Sequence, residues 1–287
     1  MGERPQGLRE NEPLERLTSM KLGGVARYFA SCGSAEEIRC CLKWAARERL
    51  RVQILAGGSN TIFTDSFDGL VLKVDLRGVE FEEHGGDYVL VRAAAGESWD
   101  GLVLRCIDAD LGGIECLSGI PGSVGATPMQ NVGAYGQEVK EVITAVKALE
   151  RETLEVVEFG PGECGFGYRQ SRFKNEDAGR YIIVEVDYSL KKEGTPQLRY
   201  EELRRYVAEK GDGGGLGSGR GALPLPRAAV ISTRLRVLLA PARAQEPEAR
   251  VVVDHCLVAQ PPPFLPAITQ PIAIGVMLFA ALLMYRV

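Results

Sequence analysis

Two glycine-rich stretches are the parts of this sequence best suited to chemistry, and in both the working groups are backbone amides. The first, Ala56-Gly57-Gly58-Ser59-Asn60, follows directly on the apolar run 52–55. Glycine admits positive φ and lets backbone approach a ligand closely, so successive N–H groups of such a turn can point at one anion. A pyrophosphate would suit Gly57, Gly58, Ser59 and Asn60; a tight turn between strands is the competing reading. No capped helix follows, which separates the loop from dinucleotide-binding and P-loop fingerprints. The second stretch runs from Leu117 to Gly136 and is dense in glycine and proline. Ordering so many glycines is entropically unfavourable, yet Ile120, Val124, Met129 and Val132 are apolar enough to pack the loop down. A buried loop carrying the Gln130 and Asn131 amides suits a flat polar ligand; a structural Ω-type loop is the alternative.

Few other residues compete for a chemical role. The chain has two histidines, His84 and His255, which argues against a His-rich metal site and leaves little material for a Ser-His-Asp triad. Its seven cysteines (Cys32, Cys40, Cys41, Cys106, Cys116, Cys164 and Cys256) include no C-x-x-C pair, so no zinc site, and no metal of any kind, is expected. The opening MGERPQGLRE lacks an apolar signal-peptide core, which points to reduced thiols and a cytoplasmic protein. A net charge of −4 lacks the basic surplus of a nucleic-acid binder, so no nucleic acid is expected as partner. At 287 residues the chain can form two domains or one large one. Chemistry falls to carboxylates, arginine, serine, tyrosine or a bound cofactor.

Several elements must position these loops. Residues 18–30 read as a turn at Gly23-Gly24 leading into a strand. Ser34-Ala35-Glu36-Glu37 is a capping box that opens a helix to about residue 50. Strands are expected at 52–55, 69–74 and 88–95. Ser98 caps a helix that runs to near Leu111, with Gly112-Gly113 supplying the left-handed stop. Further strands are expected at 143–149, 154–159 and 181–190. The mixture is α+β, with no internal repeat. From Gly211 onward there is no lysine, and GDGGGLGSGRG reads as a flexible linker. The apolar run 272–285 reaches one-half to two-thirds of the roughly 20 residues needed to cross a bilayer. An unstructured or partly buried tail is the expectation there, and membrane contact the alternative.

The motifs combine into a resemblance. Leu17-Thr18-Ser19-Met20-Lys21-Leu22-Gly23-Gly24-Val25-Ala26-Arg27-Tyr28-Phe29, the loop 56–60, the paired segments 118–126 and 130–136, and Glu163-Cys164-Gly165-Phe166-Gly167-Tyr168-Arg169-Gln170-Ser171-Arg172-Phe173-Lys174 occur in order. Over about residues 14–206 the chain resembles the UDP-N-acetylenolpyruvoylglucosamine reductase family. That resemblance implies a two-part FAD-binding fold of the vanillyl-alcohol-oxidase/PCMH type, with subdomains at 14–80 and 81–206. Residues 207–287 form a linker and divergent tail where the family has a third, substrate-covering domain. The implied FAD contacts are Gly57, Gly58, Ser59, Asn60, Ser118, Gly119, Ile120, Pro121, Gly122, Gly125, Gln130, Asn131, Gly133 and Ala134. NADPH is the implied electron donor, and the implied reaction is reduction of a UDP-linked enolpyruvyl sugar to UDP-N-acetylmuramate for peptidoglycan synthesis. Arg169 is the implied catalytic residue, placed at the substrate carboxylate, where a fixed guanidinium can oppose developing negative charge. Tyr135, Tyr168 and Lys174 are the implied substrate contacts.

The resemblance ends where the composition changes. The family's proton-donating serine lies in a G-S-F-F-K-N-P-like segment, and its glutamate lies near the C-terminus. Ser218 and Ser232 stand in neither context, and Glu246 and Glu248 lie in a proline-broken polar stretch, so neither role is carried over. General acid catalysis contributes about 10²–10⁴-fold. Two expectations therefore stand: a working reductase, or an FAD-binding remnant without turnover. A tail translated out of frame, or a divergent replacement, would explain the change at Gly211.

Overall fold

The computed structural model describes residues 4–194 together with residues 199, 201, 257 and 258. The linker after Lys210, Ser218, Ser232, Glu246, Glu248, His255, Cys256 and the apolar run 272–285 lie outside the described residues.

Strand β1 (Arg9–Pro13) pairs antiparallel with β2 (Val25–Cys32). The RENEP sequence of β1 has no apolar alternation, so nothing local announces a strand; pairing with β2 makes it one, as a charged edge. Helix α1 (Ala35–Arg47) begins at Ser34, whose Oγ accepts from the Glu37 N–H at 3.2 Å. The Glu37 carboxylate returns to the Gly33 N–H at 2.6 Å, one residue earlier than the expected box. The helix stops at Arg47 because Arg49 is left-handed (φ 54), with Leu50 N–H bonding back to the Ala45 carbonyl at 2.8 Å. Strands β3 (Arg51–Leu55), the two-residue β4 (Thr61–Ile62) and β5 (Phe67–Val74) follow. The first sheet has the order β1-β2-β5-β3, with β2 and β3 parallel to β5.

Strand β5 is buried on both faces, which explains its nearly unbroken apolar run. Leu70, Leu72 and Val74 join the main core under Ile38 and Trp44 of α1, and Val71 faces a smaller cluster of Leu14, Ala26, Phe29, Leu55 and Phe63.

The second sheet starts with β6 (Val79–Glu83), an edge strand whose V-E-F-E alternation is a weak local signal, and β7 (Tyr88–Ala94). Helix α2 (Trp99–Asp108) is capped by Ser98, whose Oγ accepts from Gly101 N–H at 3.3 Å. It ends at Asp108 with Asp110 in the left-handed conformation (φ 54), short of the expected stop at Gly112-Gly113. The short strands β8 (Leu111–Gly112), β9 (Gly133–Ala134) and β10 (Gln137–Glu138) precede β11 (Ile143–Glu150), β12 (Val156–Phe159) and β13 (Tyr181–Lys192). The sheet order is β12-β11-β13-β7-β6, antiparallel throughout, with β8 on the end of β13. A last two-residue strand, β14 (Leu257–Val258), pairs parallel with β4.

Trp99 anchors α2 to the loop that follows it. Its ring is buried, and Nε1 donates to the Leu117 carbonyl at 3.1 Å. Tyr188 of β13, fully buried 5.9 Å from that ring, shares a 2.9 Å hydrogen bond with Thr127, so the long glycine loop is tied to the sheet beneath it. Among the described residues, no helix is long and apolar enough to cross a membrane, and no His/Cys/Asp/Glu cluster could hold a metal.

Candidate functional site

The two glycine loops, more than 60 residues apart in sequence, meet at the seam between the sheets. They come together because one follows β3 and the other is tied to the start of α2. A Cβ on Gly57 would lie 2.9 Å from Gly122 Cα, so the two backbones touch where neither has a side chain. Ser59 Oγ donates to the Pro121 carbonyl at 3.1 Å, and Asn60 Nδ2 donates to Gln130 Oε1 at 3.3 Å. Trp99 N–H donates to the Gly122 carbonyl at 3.1 Å and Val124 N–H to the Glu97 carbonyl at 2.9 Å. These bonds hold the second loop against the end of β7 and the start of α2.

A cavity of about 410 Å³ opens along this seam. Ala56, Gly57, Gly122 and Ser123 line it from the loops, and Arg16, Leu17, Thr18 and Ser19 from the N-terminal stretch. Lys73, Asp75 and Arg77, spaced by two off the end of β5, and Gly96 and Ser98 complete it. Three cations thus face one carboxylate, and Arg77 is itself ion-paired with Asp75. Ser123 Oγ is buried at this cavity without a hydrogen-bond partner in the protein. A buried hydroxyl without a partner is disfavoured by about 1–3 kcal/mol. A bare glycine backbone, such a hydroxyl and a basic rim together fit an extended anionic ligand such as a dinucleotide diphosphate.

The expected cofactor contacts divide into two groups. Gly57 and Gly122 line the cavity. Gly58 instead packs against the N-terminal stretch: its φ is +69, a Cβ there would lie 2.0 Å from the Leu17 carbonyl oxygen, and its own carbonyl accepts from Ser19 N–H at 3.0 Å. Ser59, Asn60, Pro121 and Gln130 make the loop-to-loop bonds. Ser118 Oγ donates to Asp100 Oδ1 at 3.0 Å, and Gly119 N–H bonds the same oxygen, in the first turn of α2. Ile120 packs against the core and Gly125 N–H donates to the Ala95 carbonyl at 2.9 Å. Asn131, fully buried and left-handed, donates to Glu138 Oε2 and to the Gly167 carbonyl at 3.1 and 2.9 Å, and accepts from Lys140 N–H at 3.1 Å.

Arg169 belongs to a second neighbourhood, around the β9–β10 hairpin that holds Gly133 and Ala134. Its Nη2 donates to the Gly133 carbonyl at 2.6 Å, its φ is 56, and its own carbonyl accepts from Lys174 Nζ at 3.0 Å. Tyr168 is 73% exposed, with the Arg169 guanidinium 5.8 Å from its ring centre. Tyr135 sits at the hairpin tip with φ 50. Burial opposes the charged form of Glu138, but hydrogen bonds from Lys140 and Asn131 outweigh it and hold its pKa below the ordinary carboxylate value, with Arg169 adding attraction. None of Arg169, Tyr135, Tyr168 and Lys174 lines the seam cavity.

Sequence reasoning passed over Arg16, Lys73, Arg77, Ser98 and Ser123, all of which line the cavity. Ser123 lay inside the second loop, unremarked among its glycines. The period-two spacing of Lys73, Asp75 and Arg77 was the readable sign that they leave a strand on one side.

The chain is similar to known proteins. Residues 26–160 match the FAD binding domain family. The chain is 45% identical over 203 residues to the UDP-N-acetylenolpyruvoylglucosamine reductase of Nocardia farcinica, covering 70% of this chain and 51% of that protein. It is 42% identical over 212 residues to the same-named protein of Salinispora arenicola, covering 71% and 58%. The crystal structure of the Thermus caldophilus reductase superposes with a TM-score of 0.51 at 24% identity, covering 73% of this chain and 70% of that one. The expected two-part FAD-binding fold is the fold observed. The chain spans 51–59% of the length of the curated relatives it matches.

Proposed function

Because this chain belongs to the UDP-N-acetylenolpyruvoylglucosamine reductase family, we propose that it holds FAD in the seam cavity and serves the NADPH-dependent reduction of a UDP-linked enolpyruvyl sugar. The observation that carries this reading is the contact of Gly57 with Gly122 beside the buried Ser123 hydroxyl. When bound, FAD would supply the hydride carrier between NADPH and the enolpyruvyl double bond. Residues of this chain do the rest. Ser123 Oγ and the Gly57 and Gly122 backbone hold the diphosphate, and Arg16, Lys73 and Arg77 balance its charge. Arg169 grips the substrate carboxylate and opposes the charge that builds beside it. Its bond to the Gly133 carbonyl at 2.6 Å sets the plane in which the guanidinium presents its remaining N–H groups. Tyr135, Tyr168 and Lys174 border that site. Such an enzyme would work in the cytoplasm, in cell wall biogenesis and thereby in cell shape and division.

A second reading is FAD binding without turnover. One experiment separates the two. The purified chain is loaded with FAD, reduced anaerobically with NADPH and mixed with UDP-N-acetylglucosamine enolpyruvate. Flavin reoxidation is expected for the reductase. Persistent reduced flavin supports the second reading, and a colourless protein that binds no FAD overturns both.

A further inference from the structure

The β9–β10 hairpin is too short to stand alone. Each strand has two residues, and isolated hairpins are marginal at best. Its turn is Tyr135-Gly136, with φ of +50 and +80, and Ala134 pairs with Gln137. Two successive left-handed residues make the primed turn of a two-residue hairpin, a conformation that Asn-Gly adopts readily and that disfavours tyrosine at the first position. The fold must therefore impose it.

One anchor is internal. Gln137 is buried, its Oε1 accepting from Cys116 N–H at 2.9 Å and its Nε2 donating to Glu115 Oε1 at 3.1 Å. The other comes from beyond β13. Arg199 forks onto Glu141, Nη1 to Oε1 at 2.9 Å and Nη2 to Oε2 at 3.0 Å, while Nη1 also donates to the Gly136 carbonyl at 2.6 Å. Its aliphatic stem lies over Gly136, where a Cβ would come 3.0 Å from Arg199 Cβ. At the hairpin's other end, the Gly133 carbonyl takes the Arg169 hydrogen bond.

We infer that Arg199 is a positioning residue: by clamping Gly136 and Glu141 it sets the turn that presents Tyr135 and, through the hairpin, the carbonyl that orients Arg169. The inference rests on the substrate role proposed for Arg169. A forked guanidinium holds two oxygens in one plane, which a lysine ammonium cannot do.

The test uses the full chain loaded with FAD and compares wild type with Arg199→Ala, Arg199→Lys and Glu141→Ala. Two quantities are measured: hydrogen exchange across residues 133–141, and the dissociation constant of UDP-N-acetylglucosamine enolpyruvate from its perturbation of the flavin spectrum. Arg199→Ala is expected to speed exchange and weaken substrate binding about tenfold with FAD affinity unchanged. Arg199→Lys should recover only part of the loss, and Glu141→Ala should match Arg199→Ala. Unchanged exchange overturns the inference, and so does faster exchange with wild-type substrate affinity. If the wild type fails to bind the substrate, the proposed function falls, and the exchange rates alone decide the clamp. If Arg199→Ala does not fold, Arg199→Lys and Glu141→Ala carry the comparison.

Discussion

The glycine seam and the Arg169 hairpin position their groups by opposite means. At the seam the working surface is backbone, and its geometry comes from side chains that are missing: Gly57 and Gly122 touch because neither has a Cβ. Around Arg169 the geometry comes from side chains that are present, with the buried Asn131 bonded to Glu138 and Lys140 and Glu138 ion-paired with Lys140. A backbone site is damaged by added atoms, whereas a side-chain network is damaged when a member is removed.

That contrast orders what mutation should do. Gly58→Val should be the most damaging, because a β-branched residue at φ +69 would also drive its Cβ against the Leu17 carbonyl. We expect a loss of about 3 kcal/mol or more of stability, and flavin retention lost with it. The damage comes from a backbone clash, not from occupation of the diphosphate space; a melting temperature equal to wild type would contradict that reason. Arg169→Ala should leave FAD bound and slow substrate-dependent reoxidation of the flavin by about 10²-fold or more. Unchanged reoxidation in a rapid-mixing experiment would remove Arg169 from the mechanism. Gly57→Ala should keep the fold while forcing the loops apart, weakening FAD by about tenfold, as overpacking of about 1–3 kcal/mol implies. A titration of apoprotein with FAD reads this directly, and unchanged affinity would show that the seam is not the flavin site.

Ser123→Ala is the sharper probe of the same site. Since its hydroxyl has no partner in the protein, removing it should not lower the stability of the apoprotein. It should weaken FAD by about 1 kcal/mol, the worth of one hydrogen bond. A drop in apoprotein stability with FAD affinity intact would place that hydroxyl in the fold and not in the ligand site. The smallest effect concerns pH. The folded pKa of Glu138 is lowered, so its contribution to hairpin stability is present above the ordinary carboxylate value and is lost as pH falls through the folded pKa. Hydrogen exchange in residues 133–141 should therefore accelerate below about pH 4.5 relative to the rest of the sheet, and Glu138→Gln should flatten that dependence.

Local rules found most of the framework. Ser34 and Ser98 cap the two helices, as their place before apolar periodicity predicts, and the apolar run of β5 marks a central strand. The misses were edges: β1 is held by its pairing with β2, and β6 is a mostly exposed strand with little apolar content to read. Helix ends also shifted: α1 stops three residues short of the expected residue 50 where Arg49 turns left-handed, and in α2 Asp110 took the left-handed conformation expected of Gly112-Gly113.

Residue order and type were enough to single out two glycine-rich loops and an arginine in a longer motif, because glycine content, capping and apolar period are local properties. They could not show that Gly57 would meet Gly122, that Ser123 would be left without a protein partner, or that Lys73 and Arg77 would face the same space. Nor could they show that Arg169 would be oriented by a carbonyl 36 residues away or that Arg199 would grip Glu141. Each of those depends on how two sheets and a hairpin come together. Contacts between distant segments follow from the packing of whole elements and leave no periodic trace in the sequence.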